Sequence, residues 1–249
     1  MHTMSQKRNS EEAMITPDFI DKPEDMINQI VLGDCLETMR RMPDNYIDLV
    51  LTDPPYDLEL HGGGINGFST RKLAKEKHIE FLSNSFDIGT VFSEFERICN
   101  PLNAVVFCSN KQISKIMHWW EQRNYSVTLL VWDKPNPVPF GNGKYLPNLE
   151  FIVFVRGKKV TYKGNNTKTF RVNGVSSKKR LHPTEKPLEL IKSLLNIHSN
   201  SGDVVYDPFM GSGTTAKAAK YLGRNYIGSE ISKEYCEIAE NRLKQETLL

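Results

Sequence analysis

The sequence predicts an α/β fold, a mostly parallel sheet with helices on both faces. Seven short apolar runs have the length and composition of buried strands; they span residues 28–33, 46–52, 103–109, 126–133, 149–156, 203–207 and 225–230. Five other segments repeat apolar residues every three to four positions, as amphipathic helices do; they span residues 92–100, 111–124, 187–199, 213–223 and 232–246. Strands that alternate with helices form parallel sheets covered on both faces. Ligands bind such sheets where the carboxyl ends of the strands meet the loops.

Composition limits the class of protein. The 249 residues, 39% of them hydrophobic, suffice for one substantial core. The formal net charge is only +2, so a nucleic-acid surface requires local segregation of positive charge. No apolar run reaches the ~18–20 residues that span a membrane, so no membrane partner is expected. The scattered cysteines form no C-x-x-C pair, which predicts a cytoplasmic protein without disulfides or a bound metal.

The chain is predicted to form one domain, residues 28–249, after a polar lead-in. The lead-in, residues 1–27, lacks the apolar core of a signal peptide. Residues 57–88 and 156–182 break the alternation of strands and helices and are interpreted as insertions. The first insertion contains the glycine-rich stretch HGGGING, which indicates a mobile loop that could close over a ligand. The alternative is a disordered loop with no such role.

A glycine-containing loop, YDPFMGSGTTAKAA (206–219), follows one predicted strand and opens a helix. Gly211 and Gly213 carry no Cβ, so the backbone can turn tightly and approach a ligand near the free N–H groups of the helix. The loop lacks the G-K-[ST] of a phosphate loop, and Ala216 breaks the dinucleotide pattern G-x-G-x-x-G. Glu230 ends the next strand, where an acid usually holds a ribose diol. Together these features predict a nucleoside-cofactor pocket.

The tetrapeptide DPPY (53–56) ends another predicted strand, beside the same pocket. Two prolines restrict the backbone and remove two N–H donors, which leaves the Asp53 carboxylate and backbone carbonyls as acceptors. Acceptors suit a substrate that presents an NH2 group, and the Tyr56 ring can stack on a planar heterocycle. Two acceptors would draw the amine nitrogen towards tetrahedral geometry and localise its lone pair. The alternative is a strand-terminating turn with no chemical role.

DPPY followed by DPFMGSGTT (207–215) resembles the motifs of amino-group DNA methyltransferases that use S-adenosylmethionine. The tetrad precedes the cofactor loop, an order that resembles the beta class. Three further segments are similar to family segments in the same order: VLGDCLE (31–37), VWDKPNP (131–137) and HPTEKP (182–187). The resemblance covers about residues 29–246. It implies a Rossmann-like S-adenosylmethionine-dependent methyltransferase fold with a mostly parallel, seven-stranded-type sheet in permuted order.

The resemblance implies transfer of a methyl group from S-adenosyl-L-methionine to the N6 amine of adenine in duplex DNA, after the base is flipped out. In the family, DPPY more often accompanies adenine N6, and a serine in first place accompanies cytosine N4. The implied catalytic residues are Asp53, Pro54, Pro55 and Tyr56. The implied cofactor-binding residues are Asp34, Cys35, Asp53, Thr184, Lys186, Asp207, Phe209, Gly211, Ser212, Gly213, Thr214 and Glu230. The implied target-base pocket consists of Tyr56, Trp132 and Lys134.

The insertion 156–182 is strongly basic, and it lies where this family has its recognition region. No Asp or Glu interrupts its nine cations, which are Arg156, Lys158, Lys159, Lys163, Lys168, Arg171, Lys178, Lys179 and Arg180. A solvated basic loop is the simpler interpretation of such a run. We predict that these residues contact the phosphates of double-stranded DNA.

Three other functions stay open on the sequence alone. The same fold could act on cytosine N4. It could act on RNA or on a protein glutamine amide, although those families place the cofactor loop first. It could also be an inactive DNA-binding relic or a partner subunit. For the methyltransferase we expect a homodimer in the cytoplasm of a bacterium, encoded by a chromosomal, phage or mobile-element gene. Whether it has a cognate restriction endonuclease as a partner stays open.

Overall fold

The computed structural model describes residues 14–55, 88–137, 145–163, 167–176, 181 and 184–245. Its strands are β1 (Gln29–Leu32), β2 (Leu49–Thr52), β3 (Asn103–Cys108), β4 (Ser126–Asp133), β5 (Leu149–Arg156), β6 (Thr169–Arg171), β7 (Val204–Asp207) and β8 (Asn225–Glu230). Its α-helices are α1 (Cys35–Arg40), α2 (Ile88–Ile98), α3 (Ile113–Glu121), α4 (Leu188–His198), α5 (Thr214–Tyr221) and α6 (Lys233–Lys244).

The described strands form one sheet in the order β1-β8-β7-β2-β3-β5-β4-β6. Neighbouring strands from β1 to β3 are parallel, and so are β4 and β6. Strand β5 is antiparallel to both β3 and β4. The sequence between β4 and β5 carries no helical pattern, and a parallel connection usually requires a crossover helix, so the chain reverses here. The predicted α/β fold with a mostly parallel sheet is confirmed.

Apolar side chains fill a core on each face of the sheet. Strand β3 is buried along its whole length, and its side chains alternate between the two cores. Val106 belongs to the core that includes Trp120 of α3. Val105 belongs to the core that includes Leu194 of α4. Because both faces are covered, the strands are continuous apolar runs, which is why they were visible in the sequence.

All seven predicted strands and all five predicted helices form, with ends that shift by a few residues. Helix α1 and strand β6 were not predicted, because six and three residues are too short to show a periodic pattern. Gly223 follows the last turn of α5 with φ 70°, the left-handed conformation that often ends helices. Pro187 is the N-cap of α4.

The two predicted insertions and the lead-in fall partly outside the described residues. Of the first insertion, 57–88, only Ile88 is described, where α2 begins. In the basic insertion, β6 pairs with β4 and extends the sheet to an eighth strand. In the predicted lead-in, Met26 is fully buried and the N–H of Leu32 donates to the carbonyl of Ile15 at 2.8 Å. Residues 14–27 therefore pack against the sheet.

Candidate active site

The carboxyl ends of β2, β7 and β8 meet at one edge of the sheet, and an acid stands at each of them. Asp53 follows β2, Asp207 ends β7 and Glu230 ends β8. All three line one cavity of ≈ 820 Å³. This volume is in the range of small-molecule sites in proteins. Strand β5 runs the opposite way, so its first residues, with Glu150, lie at the same edge opposite the end of β4.

The cavity brings together eleven of the twelve predicted cofactor residues. Those that line it are Asp34, Cys35, Asp53, Thr184, Lys186, Asp207, Phe209, Gly211, Ser212, Thr214 and Glu230. Pro54 and Pro55 line the same cavity. The proline-containing motif and the glycine loop are distant in the chain, and the sheet makes them neighbours in space.

Asp53 pairs with the buried ammonium group of Lys186, which is 7% exposed. Lys186 Nζ also lies 3.4 Å from Glu150 Oε2, and Glu150 Oε1 lies 2.9 Å from Lys134 Nζ. Burial disfavours the charged form of Lys186, but Asp53 and Glu150 outweigh it and raise the pKa of this lysine. The lysine is therefore charged, and it favours the ionised carboxylate of Asp53, the form that accepts hydrogen bonds.

Asp207 is buried, and its carboxylate fixes the start of the glycine loop. Oδ1 accepts from Thr52 Oγ1 at 2.9 Å and from the N–H of Phe209 at 3.1 Å. Oδ2 accepts from Thr215 Oγ1 at 2.7 Å. Burial raises the pKa of Asp207 to about 6, although these hydrogen bonds oppose the rise. Asp207 thus links β2, the glycine loop and α5, and it has a structural role beside the one that the resemblance implies.

Glu230 holds the other side of the glycine loop. Its Oε2 accepts from the N–H of Gly211 at 2.8 Å, and its Oε1 accepts from the N–H of Ser232 at 2.8 Å. Gly211 has φ 53°, a left-handed conformation that a side chain would strain. The carboxylate is thereby oriented at the cavity wall, and each oxygen keeps acceptor capacity for a further donor such as a hydroxyl.

Gly213 is the predicted cofactor residue that does not line the cavity. It is the N-cap of α5 with φ 79°, and a Cβ on it would lie 2.8 Å from the Cβ of Ala239 in α6. The geometry therefore assigns this glycine to the close packing of α5 against α6. A second packing constraint holds at Gly228, where a Cβ would overlap the side chain of Met210. No motif or spacing in the sequence indicated this second constraint.

Asp34 and Cys35 lie where β1 leads into α1. Asp34 is the N-cap of α1, and its Oδ1 accepts from the N–H groups of Leu36 at 2.8 Å and Glu37 at 3.3 Å. Burial raises the pKa of the Cys35 thiol to about 12, so this cysteine is a neutral apolar part of the wall.

Glu185 and Arg242, which were not predicted from the sequence, connect two segments of the cavity wall. Glu185 is 5% exposed at its side chain and forms a 2.9 Å ion pair with Arg242 of α6. Arg242 also donates to the carbonyl of Ser212 at 3.2 Å and to Thr214 Oγ1 at 3.0 Å. Glu185 lies between two predicted site residues, Thr184 and Lys186, and this position could have indicated it. Arg242 lies in a polar helix, and nothing in the sequence indicated its role.

The predicted target-base residues are not all at the cavity. Trp132 is 3% exposed, belongs to a core, and donates its indole N–H to the carbonyl of Val172 at 2.8 Å. Lys134 lies 5.1 Å from the Trp132 ring centroid and pairs with Glu150. Neither residue lines the cavity. Tyr56 lies outside the described residues.

The predicted DNA-binding cations have different surroundings. Lys158, Lys159 and Lys168 are exposed. Arg156 is half-buried, donates to the carbonyl of Val160 at 3.0 Å, and lies over the ring of Tyr162. Lys163 donates to the carbonyl of Ser199 at 3.3 Å, and Arg171 lies 3.7 Å from a carboxylate oxygen of Asp133. The other three predicted cations, Lys178, Lys179 and Arg180, lie outside the described residues.

Among the described residues, no cluster of His, Cys, Asp and Glu has the arrangement of a metal site. No helix in the described part of the chain is both long and apolar enough to cross a membrane.

Comparison with known proteins identifies relatives in sequence. A family model described as DNA methylase matches residues 47–241. The chain is 30% identical to the Type II methyltransferase M.HinfI of Haemophilus influenzae, in an alignment covering 89% of this chain and 69% of that protein. It is 28% identical to the Type II methyltransferase M.HpaI of Haemophilus parainfluenzae, covering 89% of this chain and 76% of the relative.

Solved structures show the same architecture. The structure of an M1.HpyAVI–SAM complex matches with a TM-score of 0.64 and 29% identity, over 86% of this chain and 98% of that one. The cytosine-N4-specific PvuII DNA methyltransferase matches with a TM-score of 0.67 over 89% of this chain and 88% of that one, and at 16% identity it shows a shared fold. The family model spans more than half of the chain and includes both motifs of the cavity. The chain therefore belongs to the N6/N4 DNA methylase family.

Proposed function

We propose that this protein transfers a methyl group from S-adenosylmethionine to the N6 amine of adenine in duplex DNA, after flipping the base out of the helix. The observation that carries the proposal is the single cavity shared by Asp53, Pro54, Pro55 and the glycine loop. Direct methyl transfer requires donor and acceptor in one enclosed site at contact distance. A related structure at 29% identity, M1.HpyAVI, is a complex with SAM.

The residues that line the cavity fit S-adenosylmethionine. Glu230 offers an oriented carboxylate for the ribose hydroxyls, and Phe209 offers an apolar surface for the adenine. We assign Thr184 and Lys186, which line the cavity with Asp53, to the charged methionine end. When bound, this cofactor supplies an electrophilic methyl group on a sulfonium sulfur.

The chain's own residues position and polarise the amine. Asp53 and the carbonyl of Pro54 accept hydrogen bonds from its two N–H groups, which localises the nitrogen lone pair for attack on the methyl carbon. As the nitrogen–carbon bond forms, the carbon–sulfur bond breaks and the sulfur keeps the bonding pair as a neutral thioether. The methylated nitrogen then releases one proton to solvent. The Lys186 ammonium lies against the Asp53 carboxylate and favours its charged form. Tyr56 stacks on the flipped base, whose unstacking costs roughly a few kcal/mol. The contribution of the protein is therefore mainly orientation and electrostatics.

DNA binding is assigned to the basic insertion, residues 156–182. Its exposed cations, with Lys178, Lys179 and Arg180, would neutralise phosphates of the bound DNA. The proposal includes a homodimer and a cognate restriction endonuclease as partners. The curated relatives M.HinfI and M.HpaI are named Type II methyltransferases.

Mass spectrometry of nucleosides tests the function directly. Unmethylated plasmid is incubated with the protein and S-adenosylmethionine, digested fully and analysed. N6-methyladenine is the expected product, and an Asp53→Ala protein serves as the matched control. N4-methylcytosine instead would retain the fold and chemistry but change the base. Absence of any methylated base would reject the proposal in favour of another substrate or an inactive relic.

A further inference from the structure

Glu150 is an acid near the start of β5, a strand otherwise made of apolar residues and a final arginine. Its carboxylate lies between two ammonium groups, 2.9 Å from Lys134 Nζ and 3.4 Å from Lys186 Nζ. Lys186 in turn pairs with Asp53. Glu150 is thus connected through one buried lysine to the carboxylate that the proposed mechanism uses.

The direction of β5 explains why this acid reaches the active site. Strand β5 is antiparallel to β3, and Phe151 pairs with Cys108 at the carboxyl end of β3. The beginning of β5 therefore lies at the sheet edge where β2 ends at Thr52. A partly buried carboxylate at such a position is costly unless it is paired, and Glu150 has two cationic neighbours.

Among the ion pairs that the structure describes in this cluster, charge is balanced. Asp53 and Glu150 contribute two negative charges, and Lys134 and Lys186 contribute two positive charges. Burial would raise the pKa of Glu150, but Lys186 and Lys134 outweigh it and lower that pKa. Glu150 is therefore ionised and shares the charge of Lys186 with Asp53. Without Glu150, the Lys186 ammonium would interact more strongly with the Asp53 carboxylate.

We propose that Glu150 is a positioning residue for methyl transfer, acting on Asp53 through Lys186; this inference rests on the proposed function. By sharing the lysine charge, Glu150 leaves the Asp53 carboxylate a strong acceptor for the amine hydrogens. By approaching Nζ from the side of β5, it also fixes the direction from which Lys186 meets Asp53. Glu150 does not line the cavity, so it would contribute to the reaction without contacting the cofactor.

The test is Glu150→Gln, which retains the shape of the side chain and removes its charge. We expect kcat with saturating cofactor and DNA to fall by about 10-fold or more, because the charge that Lys186 presents to Asp53 is no longer shared. Binding of S-adenosylmethionine, measured by calorimetry, should stay within about threefold of wild type. A merely structural role would instead weaken cofactor binding and thermal stability together with kcat.

Glu94→Gln is the matched control, because Glu94 is similarly exposed and pairs with Arg97 away from the cavity. It should leave kcat unchanged. If Glu150→Gln fails to fold, the double variant Glu150→Gln with Lys134→Gln restores charge balance and should still be slow. A kcat equal to that of the wild type in either Glu150 variant would overturn this inference and leave the proposed function intact. Absence of methylation by the wild-type protein would overturn the proposed function, and the inference with it.

Discussion

Arg242 of the last helix and Glu185 of the segment before α4 form a largely buried ion pair of 2.9 Å. Their side chains are 12% and 5% exposed. Arg242 also holds the glycine loop through the carbonyl of Ser212 and the hydroxyl of Thr214. Two separate walls of the cavity are therefore joined by one guanidinium group.

Replacing Arg242 should consequently weaken cofactor binding. In Arg242→Gln, Glu185 becomes a buried carboxylate without its cation, and breaking such a pair costs roughly 3–5 kcal/mol. We expect a lower melting temperature and a Kd for S-adenosylmethionine raised about 10-fold or more, measured by calorimetry. Arg242→Lys should recover part of the affinity, because it restores the charge but not the forked donors. Wild-type affinity in Arg242→Gln would show that the pair does not shape the cavity.

Asp53 is the residue whose loss should separate chemistry from cofactor binding. In Asp53→Ala, Lys186 retains Glu150 as a carboxylate neighbour, so the cavity should persist. We expect methylation to be abolished and the affinity for S-adenosylmethionine to stay within a few-fold, measured by a radiolabel transfer assay and by calorimetry. Turnover that survives this change would contradict the proposed role of Asp53.

Alanine substitutions at Gly213 and Gly202 should distinguish the cost of backbone strain from the cost of steric overlap between helices. Both have positive φ, 79° and 88°, but a Cβ would meet Ala239 at 2.8 Å in the first case and nothing within 4 Å in the second. Gly202→Ala should cost only the conformational strain, about 1–2 kcal/mol. Gly213→Ala should cost about 1–3 kcal/mol more, because α5 and α6 must separate. Equal losses of unfolding free energy in the two variants, measured in urea, would mean that α5 and α6 adjust to the new methyl group without cost.

Much of the fold could be predicted from the sequence, because fully buried strands are continuous apolar runs and amphipathic helices repeat apolar residues every three to four positions. Asp53 and Glu230 could also be predicted near one cavity, because both follow parallel strands and such ends converge. The position of Glu150 could not, because it depends on the reversal of β5. Nor could the pairing of Glu185 with Arg242. These relations join residues distant in sequence, and spacing carries no information about them.

His198 should make the protein less stable in acid. It is 6% exposed, neither ring nitrogen has a hydrogen-bond partner among the described residues, and burial lowers its pKa to about 4. In the unfolded chain the imidazole of His198 takes up a proton near pH 6.5, whereas in the folded protein it stays neutral until about pH 4. The stability that depends on the neutral ring is therefore fully present above pH 6.5. It is lost as the pH falls towards 4, by up to ~3 kcal/mol.

His198→Phe should therefore flatten the decline in stability between about pH 7 and pH 4.5, measured by urea unfolding. The ring of Phe154, 4.1 Å away between centroids, provides an apolar neighbour for the new side chain. Asp207, with its raised pKa, titrates in both proteins, so its contribution cancels in the difference. Replacing the exposed His118 by Phe is the control and should leave the decline unchanged. An identical slope in wild type and His198→Phe would show that His198 does not cause the acid sensitivity.

Exposed cations of the basic insertion should control the salt dependence of DNA binding. Lys158 and Lys159 are exposed, whereas Arg156 is half-buried and bonded to the carbonyl of Val160. Reversing both lysines to Glu should weaken DNA binding and reduce the slope of log K against log salt by about 1–2, since each phosphate contact contributes about 0.9. Arg156→Gln should lower thermal stability and change the slope less. Fluorescence anisotropy at several salt concentrations measures both effects, and an unchanged slope in the double lysine variant would remove these two residues from the DNA interface.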